Sequence, residues 1–144
     1  MVAKLLLIFG VIALWAAAAS AQQVRTPDKG SPERKAILDA LRTPVERDLK
    51  QKVVFVADTF NVFGNWAFVS GTPQRPDGKR PDYSITKYAD AVESGAFDNN
   101  LFALLRKTGN KWKVTVYAIG CTDVCYLDWR RRYKAPKAVF PHTE

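Results

Sequence analysis

The sequence predicts an α+β fold in which an N-terminal helix packs on a four- or five-stranded antiparallel sheet, made of two hairpins, with a further helix at the C-terminal end. Three observations predict it. Ile37, Leu38, Leu41 and Val45 follow one another at spacings of three and four, the period of a helix with one buried face. Two later segments change to strand-type apolar runs, each folded at a Gly-Asn pair, Gly64-Asn65 and Gly109-Asn110, which is a hairpin signal. Thr122 or Asp123 then precedes Val124, Tyr126 and Leu127, the pattern of a capped final helix.

Ahead of this domain the chain carries Lys4, the apolar run Leu5–Ala19 and the small-x-small ending Ala19-Ser20-Ala21 before Gln22. That order reads as a secretory signal peptide over residues 1–21, cut after Ala21. An uncleaved anchor has a similar composition, but a spanning helix needs about 20 apolar residues and this run is shorter. A lipoprotein-type anchor needs a Cys at the cleavage point, and neither Cys precedes position 121. The expected location is therefore periplasmic or secreted, with no stable membrane anchor after cleavage. Gln22–Gly30, polar and containing Pro27 and Gly30, reads as a flexible lead-in, and residues 31–144 as a single domain.

The full chain has 22 Lys and Arg against 14 Asp and Glu, a formal net charge of +8, and loss of residues 1–21 would remove only Lys4 from the charged set. A basic balance in an exported protein points to anionic partners such as acidic lipid head groups, wall polymers or negatively charged proteins, and it also serves solubility. Export makes nucleic acid a poor partner and permits disulfides.

Ser31 is placed to cap the first helix and Pro32 suits its first position. Pro44 interrupts the helical pattern, and Thr43 with Glu46 has the spacing of a capping box, so a kinked helix or two consecutive ones, reaching about Gln51, are expected. From Lys52 the apolar run Val53–Val56 extends towards Val62, and Trp66–Val69 provides the returning strand. Gly71–Pro81 is broken by glycines and prolines, with a tight turn at Pro76-Asp77-Gly78-Lys79. Tyr83–Tyr88 reads as a short strand, Ala89–Asn100 has no assignment, and this irregular middle is the expected place for a binding loop. In the second hairpin, Leu101–Lys107 and Lys111–Ile119, Trp112, Val114, Val116 and Ala118 alternate with Lys111, Lys113, Thr115 and Tyr117. Strict alternation predicts one core face and one wet face. The final helix is expected to run to about Tyr133 with Val124, Tyr126 and Leu127 facing inward, and Pro136 ends it. In element order a helix cradled by such a meander is similar to the cystatin and nuclear transport factor 2 architectures, an analogy that carries no function.

Cys121 and Cys125 form a C-x3-C pair. Residues four apart lie about 13 Å from each other on a strand and about 6 Å apart on a helical turn, so a disulfide stapling the first turn of the final helix is geometrically possible. The redox spacing C-x-x-C is absent, Cys125 is followed by Tyr126 rather than the His of a haem attachment site, and the one His is His142, so no metal site or cofactor is expected. Trp129-Arg130-Arg131-Arg132-Tyr133-Lys134 is the densest basic patch. Its arginines and aromatic rings suit phosphate, carboxylate or sugar binding, against the plainer reading of a solvated helix face with Trp129 docked on the sheet. No nucleophile elbow, phosphate-binding loop or metalloprotease helix occurs, and no catalytic residue is assigned. Asp58 interrupts an apolar strand face made by Val54, Val56, Phe60 and Val62. It marks either a pocket carboxylate, with Tyr117 as a companion, or a strand end or bulge.

Ala36-Ile37-Leu38-Asp39-Ala40-Leu41-Arg42, Gly64-Asn65-Trp66-Ala67-Phe68 and Thr122-Asp123-Val124, with Trp129 and Tyr133-Lys134-Ala135-Pro136, together resemble a group of small exported proteobacterial proteins for which no activity is known. The resemblance implies an envelope or periplasmic location and no particular chemistry. Three readings follow. The first is a non-enzymatic periplasmic domain that binds an envelope component or partner protein through the long loop and the basic final helix. The second is a small pocket enzyme or ligand carrier using Asp58 and Tyr117. The third is an inhibitor of a secreted hydrolase, which electrostatic steering would not assist against basic lysozymes.

Overall fold

The computed structural model describes residues 22–142, and the expected signal peptide lies outside them. Helix α1 spans Pro32–Leu49; the Ser31 hydroxyl accepts a hydrogen bond from the Arg34 N–H at 3.2 Å, and Pro32 occupies the first turn. The helix runs on through Pro44 rather than restarting there. An internal proline costs about 3 kcal/mol, but Val45 and Leu49 continue the stripe begun by Ile37 and Leu41, and all four are fully buried. Burial of that stripe outweighs the lost backbone bond. Glu46 accepts from the Val53 N–H at 3.1 Å and from Lys52 at 3.0 Å, fastening the helix end to the first strand.

Four strands, β1 (Val54–Phe63), β2 (Trp66–Gln74), β3 (Leu101–Thr108) and β4 (Lys111–Ile119), form an antiparallel meander in the order β1-β2-β3-β4. Both predicted Gly-Asn turns join strands. The fold is thus α+β with four strands. The polar lead-in is tied to this sheet: Arg25 exchanges two backbone hydrogen bonds with Val62, at 3.0 and 2.8 Å, and the Pro27 carbonyl accepts from Arg34.

Each edge strand carries a bulge. Ala57 faces Gly71 and Thr59 faces Ser70, leaving Asp58 as the extra residue; Leu104 faces Val116 and Leu105 faces Val114, leaving Thr115. An extra residue shifts the period-2 alternation and sends the following side chains to the other face. In β4, therefore, Trp112 and Val114 pack towards α1 with Tyr117 and Ile119, while Val116 and Ala118 turn to the opposite side. This corrects the expectation of one unbroken alternation. In β1, Phe55 and Ala57 join Phe60 and Val62 on the helix side, and Val54 and Val56 are exposed. The four apolar residues expected around Asp58 therefore do not form one face: Val54 and Val56 lie on one side and Phe60 and Val62 on the other.

The sheet is consequently apolar on both sides. On the side away from α1, Trp66, Phe68 and Leu104 are buried beneath the C-terminal segment, which contributes Tyr126, Trp129, Ala135, Val139 and Phe140. Phe68 sits edge-on to Tyr126 and Phe140, with ring centroids 4.8 and 5.5 Å apart, and the Asn61 amide donates to the Val139 carbonyl at 3.1 Å. The final helix, α3, is only Trp129–Tyr133, followed by a 3-10 turn at Lys137–Val139. Residues 121–128 form turns instead of the expected helix. There the Asp123 side chain and carbonyl take the Val124 and Cys125 N–H groups, at 2.6 and 2.9 Å, a local alternative to helical bonds that Asp favours. Tyr126 faces inward as expected, but Val124 and Leu127 do not.

The β2–β3 connection also departs from its prediction. Tyr83–Ile85 is a 3-10 turn capped by Asp82, not part of a strand, and a short helix α2 spans Ala89–Glu93. Tyr83, Tyr88 and Phe97 pack together, with centroid separations of 4.5 to 6.4 Å. Gln51 exchanges two hydrogen bonds with the Asp82 backbone, at 2.8 and 2.9 Å. These contacts anchor the connection to the C-terminal end of α1.

The Asp58 bulge brings β1 against Gly71 so closely that a Cβ on Gly71 would lie 2.0 Å from the Val56 carbonyl oxygen. Backbone, unlike a flexible side chain, has little room to yield. Gly71→Ala is expected to lower unfolding free energy by about 2 kcal/mol or more, read by chemical denaturation. A stability equal to that of the parent would show that the strands separate without cost at the bulge.

Candidate functional site

The basic patch read from the sequence divides into anchors and free cations. Trp129 is buried on the outer face of the sheet, Tyr133 is half-buried with the Arg132 guanidinium 5.7 Å from its ring centre, and Arg130, Arg131 and Arg132 are exposed. Trp129 therefore positions α3, and the arginines project from a fixed base. Beside them is an open groove of about 190 Å³ lined by Leu127, Asp128, Arg130 and Arg131.

The structure adds a second group of cations to the same half of the molecule. Arg106 and Lys113 stand directly opposite each other across β3 and β4, a like-charge pairing that disfavours the sheet. Arg106 lies 5.1 Å over the Trp66 ring, and Trp66 belongs to the apolar cluster that also holds Trp129. Lys107 and Lys111 complete the hairpin end. Residues 22–100 are nearly balanced, with twelve Lys and Arg against eleven Asp and Glu, whereas residues 101–142 hold nine against only Asp123 and Asp128. Every ion pair among the described residues lies within residues 22–100. The positive excess thus sits on the second hairpin and the C-terminal segment, where no cation is in an ion pair and only Lys107 acts, through space, on a carboxylate, that of Glu33.

Asp58 and Tyr117 do not come together, because β1 and β4 are the opposite edges of the sheet. Asp58 is exposed, at the rim of an open groove of about 660 Å³ with Thr26, Asp28, Lys29, Arg34 and Asn61. Tyr117 faces α1 and donates its hydroxyl to Asp48 at 3.0 Å; Tyr88 donates to the same oxygen at 2.9 Å, and the Lys87 ammonium lies 2.8 Å from the other. Burial works to raise the Asp48 pKa, but hydrogen bonds from Lys87, Tyr88 and Tyr117 outweigh it and hold the carboxyl below its ordinary range. Burial, and then the bond to Asp48, pushes Tyr117 up to about 12 and moves Tyr88 in the same direction. The cluster keeps Asp48 ionised and both phenols protonated, so it joins α1, β4 and the β2–β3 connection as a structural tie.

No family model, curated protein or solved structure matches this chain. The likeness to the cystatin and nuclear transport factor 2 architectures therefore stays one of element order. Among the described residues no group of three or more His, Cys, Asp or Glu side chains could hold a metal ion, and no helix is long and apolar enough to cross a membrane. Cys121 and Cys125 are at disulfide distance with Cα atoms 6.2 Å apart, closing the turn ahead of α3 rather than stapling a helix.

Asp48, Lys87 and Tyr88 escaped sequence reading because 40 residues separate Asp48 from Tyr88 and 69 separate it from Tyr117. No local pattern links them. The segregation of charge, by contrast, was present in the sequence as a composition shift at about residue 100, and a windowed count would have found it.

Folding lowers the Asp48 pKa, so the native state binds fewer protons here than the unfolded chain between the depressed value and the ordinary carboxylate value. The contribution is fully present above the ordinary value and is lost as pH falls through the native one. Asp48→Asn is expected to cost about 1–3 kcal/mol at neutral pH, and the gap to the parent should close on acidification. Denaturation series at several pH values test this; a gap independent of pH would assign the loss to packing instead of charge.

Proposed function

We propose that this is a non-enzymatic domain of the bacterial periplasm that binds an anionic envelope component or an acidic partner protein through its basic C-terminal half. The observation that carries the reading is the excess of positive charge on the second hairpin and the C-terminal segment, where none of the nine cations is in an ion pair. Cations already in ion pairs must exchange one partner for another on binding. Arg130, Arg131 and Arg132 have no carboxylate to give up, and guanidinium forms forked hydrogen bonds with phosphate or carboxylate. The exposed Arg106 and Lys113 pair supports the same reading, because an anion placed between them would relieve their repulsion. The signal-like residues 1–21 and the cysteine pair agree with export, as does the resemblance to small exported proteobacterial proteins.

Binding of this kind is long-ranged and weakened by salt. The domain should sediment with an isolated Gram-negative envelope fraction at low ionic strength and be released as salt is raised. Arg130→Ala, Arg131→Ala and Arg132→Ala combined should reduce the bound fraction at least tenfold at low salt while leaving the circular dichroism spectrum unchanged, since all three side chains are exposed. Equal binding by the triple variant would remove α3 from the interface.

A further inference from the structure

We infer that the turn closed by Cys121 and Cys125 is a membrane-contact element, with Val124 and Leu127 entering the apolar boundary of an anionic phospholipid bilayer while Arg130, Arg131 and Arg132 hold lipid phosphates. The inference rests on the proposed envelope-binding role and names its partner.

The turn has two sides with different duties. Tyr126 and Trp129, each 4% exposed, face the sheet, whereas Val124 and Leu127, 38% and 37% exposed, point away from it. Large apolar side chains are not left outward by a failure of local folding here, because the turn is held at several points. The cysteines bracket it, the Asn100 amide donates to the Cys121 carbonyl at 2.7 Å, and backbone bonds run from Leu127 to Val124 and from Trp129 to Tyr126. Val124 and Leu127 are thus displayed from a fixed base, at no further ordering cost.

Charge selects the occupant. The segment after the turn offers Arg130, Arg131, Arg132, Lys134 and Lys137, all exposed, against Asp123 and Asp128 within it. Two apolar tips, one of which shares a groove with Arg130 and Arg131, match the layered chemistry of a bilayer surface, where phosphates overlie hydrocarbon. The long arginine stems allow the guanidinium groups to stay at phosphate level while the shorter Val and Leu side chains reach below it. A flat acidic protein surface would reward the arginines but would leave Val124 and Leu127 without a comparable partner. Asp123 and Asp128 oppose the contact, which keeps it reversible, and Asp128→Asn should strengthen it.

Sedimentation with phosphatidylglycerol–phosphatidylethanolamine vesicles, against pure phosphatidylcholine vesicles, tests the assignment. The intact domain should partition onto the anionic vesicles. Val124→Ser with Leu127→Ser should lower the partition coefficient about tenfold, with a residual that still falls with salt. The triple arginine variant should lower it about a hundredfold at low salt, at about 1 kcal/mol per charge. Both variants alter exposed side chains, and unchanged thermal unfolding verifies the fold. If the serine variant binds as the parent does, insertion is overturned while the electrostatic reading stands. Failure of the parent to bind vesicles, with salt-sensitive retention on the envelope fraction, also overturns the inference and points to an acidic protein partner. Failure on both vesicles and envelope overturns the inference and the proposed function together.

Discussion

A four-stranded meander with apolar side chains on both faces cannot be covered by one helix, and the rest of this molecule is arranged around that constraint. The stripe Ile37, Leu41, Val45 and Leu49 of α1 covers one face, and the segment from Tyr126 to Phe140 covers the other. Burying a side chain such as Phe68 or Leu104, both fully enclosed, is worth about 1.5–3 kcal/mol. The second layer is therefore part of the fold and not a tail laid upon it. The bulges at Asp58 and Thr115 make the arrangement consistent, since each lets an edge strand present apolar residues to α1 along its whole length.

That second layer also decides where charge goes. Because Tyr126, Trp129, Ala135, Val139 and Phe140 are committed to the sheet, much of the strip between them faces water. Five of the eight exposed residues between Tyr126 and Phe140 are arginine or lysine. The same commitment turns Val124 and Leu127 outward, so cations and apolar tips occur together as a consequence of docking one strip of chain. In residues 22–100 the two signs are nearly balanced, six cations are held in ion pairs, and at Asp48 two phenols and an ammonium converge on one carboxylate. One part of the chain is close to charge balance and the other carries the positive excess.

The difference between what could and could not be read from the chain follows the range of the interactions. Ser31-Pro32 and the three-four spacing of α1 are signals within a few residues, as are Gly64-Asn65 and Gly109-Asn110, and each element formed where its signal lies. Trp129 docked on the sheet for the reason its size suggests. At Pro44 one helix forms rather than two, because a local breaker was outweighed by burial supplied from β3 and β4. Tyr83 and Tyr88 misled, since β-favouring residues were drawn into a cluster with Phe97, which is distant in sequence from Tyr83. Tyr117 was singled out, but its partner was not Asp58. A one-residue bulge, invisible to periodicity, aims Tyr117 at Asp48.

By itself the sequence determined the α+β class, the helix start, both hairpins, the spacing that lets Cys121 and Cys125 meet, and the basic excess, because each depends on local backbone preference or on composition. Only the tertiary structure decided which face each strand residue serves, that the C-terminal segment forms a second apolar layer, and that the free cations and Val124 and Leu127 share its outer surface. Those outcomes depend on register and on burial against distant residues, and a shift of one residue in pairing reverses them.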